Sequence, residues 1–283
     1  MLLPPSGAPG FAGALLIACY EKAVDVVVPL RDAELLPIAA IRWKFAAAGV
    51  GVLAVSGSTA SICFDRWKLF ETCRHAGIGV PHTSLLESRG ALDLAKGPCV
   101  IRARHTSGSS ELVNFGHGSL LRSTEFDGAR IVQEYVPGTE YSIDVLAYRD
   151  GHVASVVPRS NLQTSAGVSI ASATVADTEL ENLGRAVAAA LQLTSVASIL
   201  VRRSTSGTPQ VLGVTPRIPG GIPLSVAAGV NMPALALADL LCRCVPRVVG
   251  FREMAMVRFW DQHFVERREL HEAEVALAHC FGN

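Results

Sequence analysis

The chain has 283 residues, 49% of them hydrophobic, and balances 25 basic against 25 acidic side chains. That length holds two compact domains or one large one with subdomains, and the apolar share suffices for a buried core. Zero net charge, with no basic patch interleaved with aromatics, excludes the electrostatic footprint of a nucleic-acid binder. Seven cysteines at scattered spacings, without a Cys-x-x-Cys, suit the reduced thiols of a cytoplasmic protein.

The first predicted element is a helix-like segment over 11–20. Residues 23–30 (AVDVVVPL) form a near-continuous apolar run, as expected of a parallel strand buried on both faces. A helix over 33–48 and a short strand over 50–55 complete a small α/β unit. Residues 64–75 read as a helix ended by Gly77. Residues 98–103 and 131–136 are strand-like, and 105–110 form a Gly/Ser loop. Residues 141–148 and 153–157 pair across Asp150-Gly151, a strong hairpin signal.

Asp177 caps a helix running to about Gln192, with Leu180, Leu183, Val187 and Leu191 on one face. Residues 196–203 and 210–214 form a further strand pair. A helix over 232–244, a strand within 254–265 and a charged amphipathic helix over 266–280 close the chain. The uncharged stretch 218–238 is long enough to span a bilayer, but Pro219, Gly220, Gly221, Pro223, Gly229 and Pro233 interrupt it. A lone lipid-facing helix would not tolerate that backbone, so a buried loop followed by a helix is expected, and no membrane partner. Residues 1–20 lack the basic start and small-residue cleavage site of a signal peptide. The pattern predicts α+β subdomains attached to a small α/β cap, divided at 1–62, 63–135 and 136–283.

Several segments occur in an order that resembles the ATP-grasp superfamily, in particular its carbamoyl-phosphate-synthase-like carboxylate–amine ligases. Asp25–Pro29 with Asp32-Ala33-Glu34-Leu35 is similar to the end of the pre-ATP-grasp domain, here truncated. Phe64-Asp65-Arg66-Trp67-Lys68 resembles the opening helix, and Val100-Ile101-Arg102 the strand carrying a phosphate-binding cation. A guanidinium bridges two phosphate oxygens, so Arg66 and Arg102 suit positions where most of the family uses Lys. Ser107, Gly108 and Ser109 lie in a stretch that resembles the lid over the phosphates, whose backbone N–H groups would cradle oxygens. The segment from Val132 to Tyr141 resembles the adenine hinge (Glu134, Tyr135, Val136) and the ribose carboxylate (Glu140).

The resemblance implies an ATP-grasp fold, bound ATP, and an acyl-phosphate route joining a small carboxylate to an amine or amino acid. It implies Arg217, and more loosely Arg159, as catalytic cations beside the transferred phosphoryl group. A salt bridge is the alternative role for Arg159. The frame Val211-Leu212-Gly213-Val214-Thr215-Pro216-Arg217 matches the family's Glu-x-Asn-Pro-Arg strand end, but Gly213 and Thr215 stand where the Mg²⁺ ligands would be. Leu200 replaces a polar residue on the preceding strand. Mg²⁺ needs hard oxygen ligands, so no metal-ligating residue is assigned. Asp144 alone offers a substitute carboxylate. Two functions follow: an ATP-dependent ligase, or a non-catalytic homologue acting as a nucleotide- or metabolite-binding subunit. The shortened cap predicts exposed apolar surface covered by a second copy or a partner ligase subunit.

Overall fold

The computed structural model describes residues 2–87, 98–105, 112–117, 128–165, 168–204, 207–259, 264, 266 and 267. The expected lid residues Ser107, Gly108 and Ser109 lie outside these, as does nearly all of the expected C-terminal helix.

Chain order begins with α1 (Phe11–Glu21), β1 (Val26–Val27), α2 (Asp32–Ala40), α3 (Arg42–Ala47) and β2 (Gly51–Val52). Strands β1 and β2 pair in parallel, Val26 opposite Gly51 and Val27 opposite Val52. Phe11, Ile38, Phe45 and Val52 form their core. The apolar run 23–30 does not make a long strand buried on both faces. Only two residues pair, Val26 and Val27 are half-buried, and Val28 and Leu30 are exposed. Pro29 cannot donate to a ladder, which ends the pairing there. The single helix expected over 33–48 is two, separated at Ile41. Arg42 then donates to the carbonyls of Val52, Ala54 and Val55 at 2.9, 3.1 and 3.1 Å. The Ala54 and Val55 carbonyls it satisfies lie beyond the β1–β2 ladder.

Helix α4 (Gly57–Phe64) is capped by Ser56, and α5 (Arg66–His75) by Asp65. The α5 chain reverses through Gly77 at φ +72, a conformation open to glycine at little cost. An antiparallel four-stranded sheet follows in the order β3-β6-β4-β5, from β3 (Thr83–Leu85), β4 (Pro98–Ala103), β5 (Leu112–His117) and β6 (Arg130–Glu134).

A six-stranded antiparallel sheet has the order β11-β10-β7-β8-β9-β12. Its strands are β7 (Gly138–Ala147), β8 (Val153–Ser165), β9 (Val168–Thr174), β10 (Ser195–Ser204), β11 (Pro209–Thr215) and β12 (Ala255–Val257). Strand β8 is far longer than the hairpin signal implied, because β9 pairs along its second half. Helix α6 (Thr178–Ala190), capped by Asp177 as expected, lays Leu180, Gly184 and Val187 on Ile143, Val145 and Val156. Burying Leu180 and Val187 contributes about 1.5–3 kcal/mol each. Helices α7 (Ile222–Ala227) and α8 (Met232–Leu240) lie against the opposite face, where Leu146, Val157, Val196 and Met232 cluster. Among the described residues no helix is long and apolar enough to cross a membrane, and all six cysteines are free thiols.

Candidate functional site

One face of the six-stranded sheet carries Glu140, Arg159 and the frame positions Leu200, Gly213 and Thr215, because side chains alternate along a strand. Register sets them in rows. Thr215 faces Ser198, which faces Asp144; Gly213 faces Leu200, which faces Ser142, which faces Arg159. Arg202 faces Glu140 in the next row.

The α5 N-terminus brings a second group of cations. Asp65 accepts from the backbone N–H groups of Trp67 and Lys68. Its carboxylate also takes the Arg104 guanidinium, 3.0 Å from Nε to Oδ1 and 2.9 Å from Nη2 to Oδ2. Burial by itself would raise the Asp65 pKa, but Arg104 and the capping N–H groups outweigh it and hold the carboxyl below its ordinary range. This clamp ties the start of α5 to the chain leaving β4, and the Arg66 N–H donates to the Arg104 carbonyl at 2.9 Å. Arg66 and Arg102 thereby come close enough to repel one another.

Arg66 is 6% exposed rather than a surface residue, and its Nη1 donates to the Ala103 carbonyl at 2.6 Å. Burial, and then Arg102, lower its pKa to about 10. Arg102 is half-buried, with a buried Nε that lacks a hydrogen-bond partner. Its pKa is lowered by burial first and by Arg202 second, while Glu140 opposes the shift. An anion among these guanidiniums would relieve both repulsion and desolvation.

At the hinge, Glu134 is exposed, Tyr135 half-buried and Val136 buried. Tyr135 N–H donates to the Pro98 carbonyl, which joins the hinge to β4. Glu140 is engaged on both oxygens: Arg202 Nη2 donates to Oε2 at 2.8 Å and Asn161 Nδ2 to Oε1 at 3.2 Å. Arg202 also donates to the Val136 carbonyl at 3.2 Å and stacks over the Tyr135 ring at 5.6 Å. Sequence reasoning missed Arg202 and Asn161. Arg202 lies two residues beyond Leu200, on the same strand face, but its pairing with Glu140 depends on a register that no local signal carries.

Arg217 donates to Asp32 at 2.5 Å, linking the strand end after β11 to the start of α2. It is half-buried. Arg159 is different from an open cleft cation. It is 3% exposed, and its Nε and Nη2 both donate to Asp144 at 2.8 Å. Ser198 Oγ donates to Asp144 Oδ1 at 2.8 Å and Ser225 Oγ to Oδ2 at 2.6 Å. Gly221 lies against the guanidinium so closely that a Cβ there would stand 2.5 Å from its nitrogens. The pair is a sealed internal ion pair that docks α7 onto the sheet.

The fit of a divalent cation can be judged from these donors. A Cβ at Gly213 would have no atom within 4 Å, so the frame's first ligand position is open space. Leu200 and Thr215 are half-buried beside it and bring no carboxylate. Asp144 is 0% exposed with each oxygen in two hydrogen bonds, and Glu140 is held by Arg202 and Asn161. Among the described residues, no three His, Cys, Asp or Glu side chains converge. Mg²⁺ requires carboxylate and water oxygens in near-octahedral array, and these residues do not fit it.

Residues 127–262 match a family model described as ATP-grasp in the biosynthetic pathway with Ter operon. No curated protein sequence matches the chain. Among solved structures, it is similar to the biotin carboxylase–β,γ-ATP complex from Campylobacter jejuni, with a TM-score of 0.69 at 14% identity over 83% of this chain. An L-amino acid ligase from Bacillus licheniformis gives 0.65 at 18% identity over 84%. The biotin carboxylase domain of a thermophilic 2-oxoglutarate carboxylase, bound to ADP without magnesium and with a disordered phosphate tail, gives 0.63 at 15% over 85%. The chain spans 58%, 62% and 59% of those three chains. Together the sheets and these likenesses show the ATP-grasp fold, and the segment that matches the ATP-grasp family model spans just under half of the chain.

Proposed function

We propose that the chain binds the phosphate groups of a nucleotide, ATP in the first instance, through arginines in place of a metal, and does not transfer a phosphoryl group. Arg66 and Arg102 are the phosphate ligands. Glu134–Val136 and Glu140 stand where the nucleoside would lie, with Glu140 and the Val136 carbonyl already engaged by Arg202. Arg217 holds the strand end to Asp32 and leaves the metal frame without a bridging ion. In this reading the chain is a non-catalytic relative of carboxylate–amine ligases, acting as a nucleotide- or metabolite-binding subunit.

The observation that carries the reading is the asymmetry of the sheet face. Arg66 of α5 and Arg102 of β4 gather beside Arg202 at one end, and the Gly213–Leu200–Ser142 row, which ends on the sealed Arg159, offers no carboxylate at the other. Phosphoryl transfer depends on cations that neutralise charge between the β- and γ-phosphates. Arginines supply charge for binding without the metal's positioning of the reacting oxygens. Exposed Ile17, Tyr20, Leu30 and Trp43 on the N-terminal unit support a second copy or a ligase subunit as the partner.

The test is a pair of measurements on the full chain. ADP production is followed with ATP, Mg²⁺ and panels of small carboxylates and amines, and ATP binding is measured for wild type and Arg102→Ala. The expected results are no ADP above the uncatalysed control and a loss of at least about tenfold in ATP affinity, about 1.4 kcal/mol, in the variant. Substrate-dependent ADP release by the purified chain would overturn the reading.

A further inference from the structure

Arg202 makes contacts that a nucleoside would otherwise make. Its Nη2 donates to Glu140 Oε2 at 2.8 Å, its Nη1 to the Val136 carbonyl at 3.2 Å, and its Cζ lies 5.6 Å from the centre of the Tyr135 ring. A carboxylate beside a hinge turn is a receptor for the two hydroxyls of a ribose, and an aromatic face and hinge carbonyl are receptors for a base. One side chain therefore satisfies a hydroxyl-binding acid, a base-edge acceptor and a stacking surface together. Asn161 takes the other Glu140 oxygen at 3.2 Å, so neither oxygen is left without a protein donor.

Two arginine donors remain unused. Nε of Arg202 and Nε of Arg102 are both buried without hydrogen-bond partners, and the two guanidiniums repel one another. Unpaired buried donors beside like charges favour an anion between them. From these contacts we infer that Arg202 is a selectivity residue: it fills the nucleoside side of the cleft, so the site reads an oligophosphate chain and gains little from an attached adenosine. The inference rests on the phosphate-binding reading given above. The ligand class is an inorganic di- or triphosphate, or a phosphate chain whose organic part stays outside the cleft. Glu140 cancels much of the Arg202 charge, so Arg202 acts on the nucleoside by occupancy more than on the phosphates by attraction.

Titration calorimetry of the full chain with tripolyphosphate, ATP and adenosine tests this, all in EDTA. In wild type, tripolyphosphate is expected to bind as tightly as ATP or more tightly, and adenosine not to bind. Arg202→Leu frees Glu140 and the Val136 carbonyl, so the ratio of ATP to tripolyphosphate affinity should rise by about tenfold to a hundredfold, the worth of hydrogen bonds to a charged group. Circular dichroism and a melting curve establish that the variant is folded. The wild-type ratio decides the matter even if it is not. ATP binding ten or more times tighter than tripolyphosphate in wild type would overturn the role of Arg202 and leave the phosphate-binding reading standing. Failure of wild type to bind any of the phosphate ligands would overturn both.

Discussion

Removing the Asp144 carboxylate should be among the most destabilising single changes in this fold. Asp144→Ala strips the acceptor from three side chains at once. Arg159, 3% exposed, loses both of its 2.8 Å bonds, and the hydroxyls of Ser198 and Ser225 lose their partners at 2.8 and 2.6 Å. A buried charge left without its counter-ion costs about 3–5 kcal/mol. The two orphaned hydroxyls add to this wherever water cannot reach them. Total stability is about 5–15 kcal/mol for a domain, so the variant should be close to its limit. Replacing the pair by Asp144→Leu with Arg159→Met should recover part of the loss, because no charge remains buried. The two hydroxyls stay unpaired, so recovery is incomplete. Urea denaturation of wild type, Asp144→Leu, Arg159→Met and the double variant gives the coupling directly. A coupling above about 2 kcal/mol is expected for groups sharing one network. A loss below about 1 kcal/mol for Asp144→Ala would mean that the carboxylate is solvated. Its oxygens would then be open to a metal, and the argument against Mg²⁺ would lose its main support.

Rebuilding the lost frame should be tolerated: Gly213→Glu with Thr215→Asn should fold within about 0.5 kcal/mol of wild type, since a Cβ at Gly213 meets nothing within 4 Å. In that variant, and more so with Leu200→Gln, nucleotide affinity should become Mg²⁺-dependent in a magnesium titration; an unchanged affinity would mean the sheet face no longer lies beside the phosphates. Gly184→Ala should cost about 1–3 kcal/mol by chemical denaturation despite better helix propensity, because its Cβ would stand 2.6 Å from Val156 Cγ1 and 2.9 Å from Ile143 Cγ2. Asp65 has a folded-state pKa below its ordinary value, so the stability it contributes is present above about pH 4 and is lost as pH falls through the lower folded pKa. Asp65→Asn should therefore lower the melting temperature at pH 7, and its difference from wild type should shrink below about pH 3.

Local signals placed much of the fold. The Asp150-Gly151 turn marked the β7–β8 hairpin, Asp177 the start of α6, and the period of Leu180 and Val187 its buried face. Residues 98–103 form the expected strand, with Cys99, Val100 and Ile101 buried in succession so that both faces of β4 are covered. The run 23–30 misled because apolar composition cannot distinguish a long buried strand from two paired residues beside Pro29. Strand β9 carries Ser, Ala and Thr with little apolar signal, and it is held by its ladder to β8. At the site, the arginines and the empty ligand positions were readable residue by residue. What each arginine touches was not. For Arg159 the sequence left a cleft cation and a salt bridge open until the fold set Asp144, Ser198 and Ser225 around it, and Arg202 gave no sign of its contacts until register put it opposite Glu140.

The central claim is that arginines stand in for the metal. Calorimetric titration of the wild-type chain with tripolyphosphate, once in excess EDTA and once in millimolar Mg²⁺, tests it most directly. The account predicts an affinity in EDTA at least equal to that in Mg²⁺, since free magnesium only shields the anion from Arg66 and Arg102. An affinity that falls tenfold or more when the metal is chelated would contradict it, because some carboxylate would then be holding the ion.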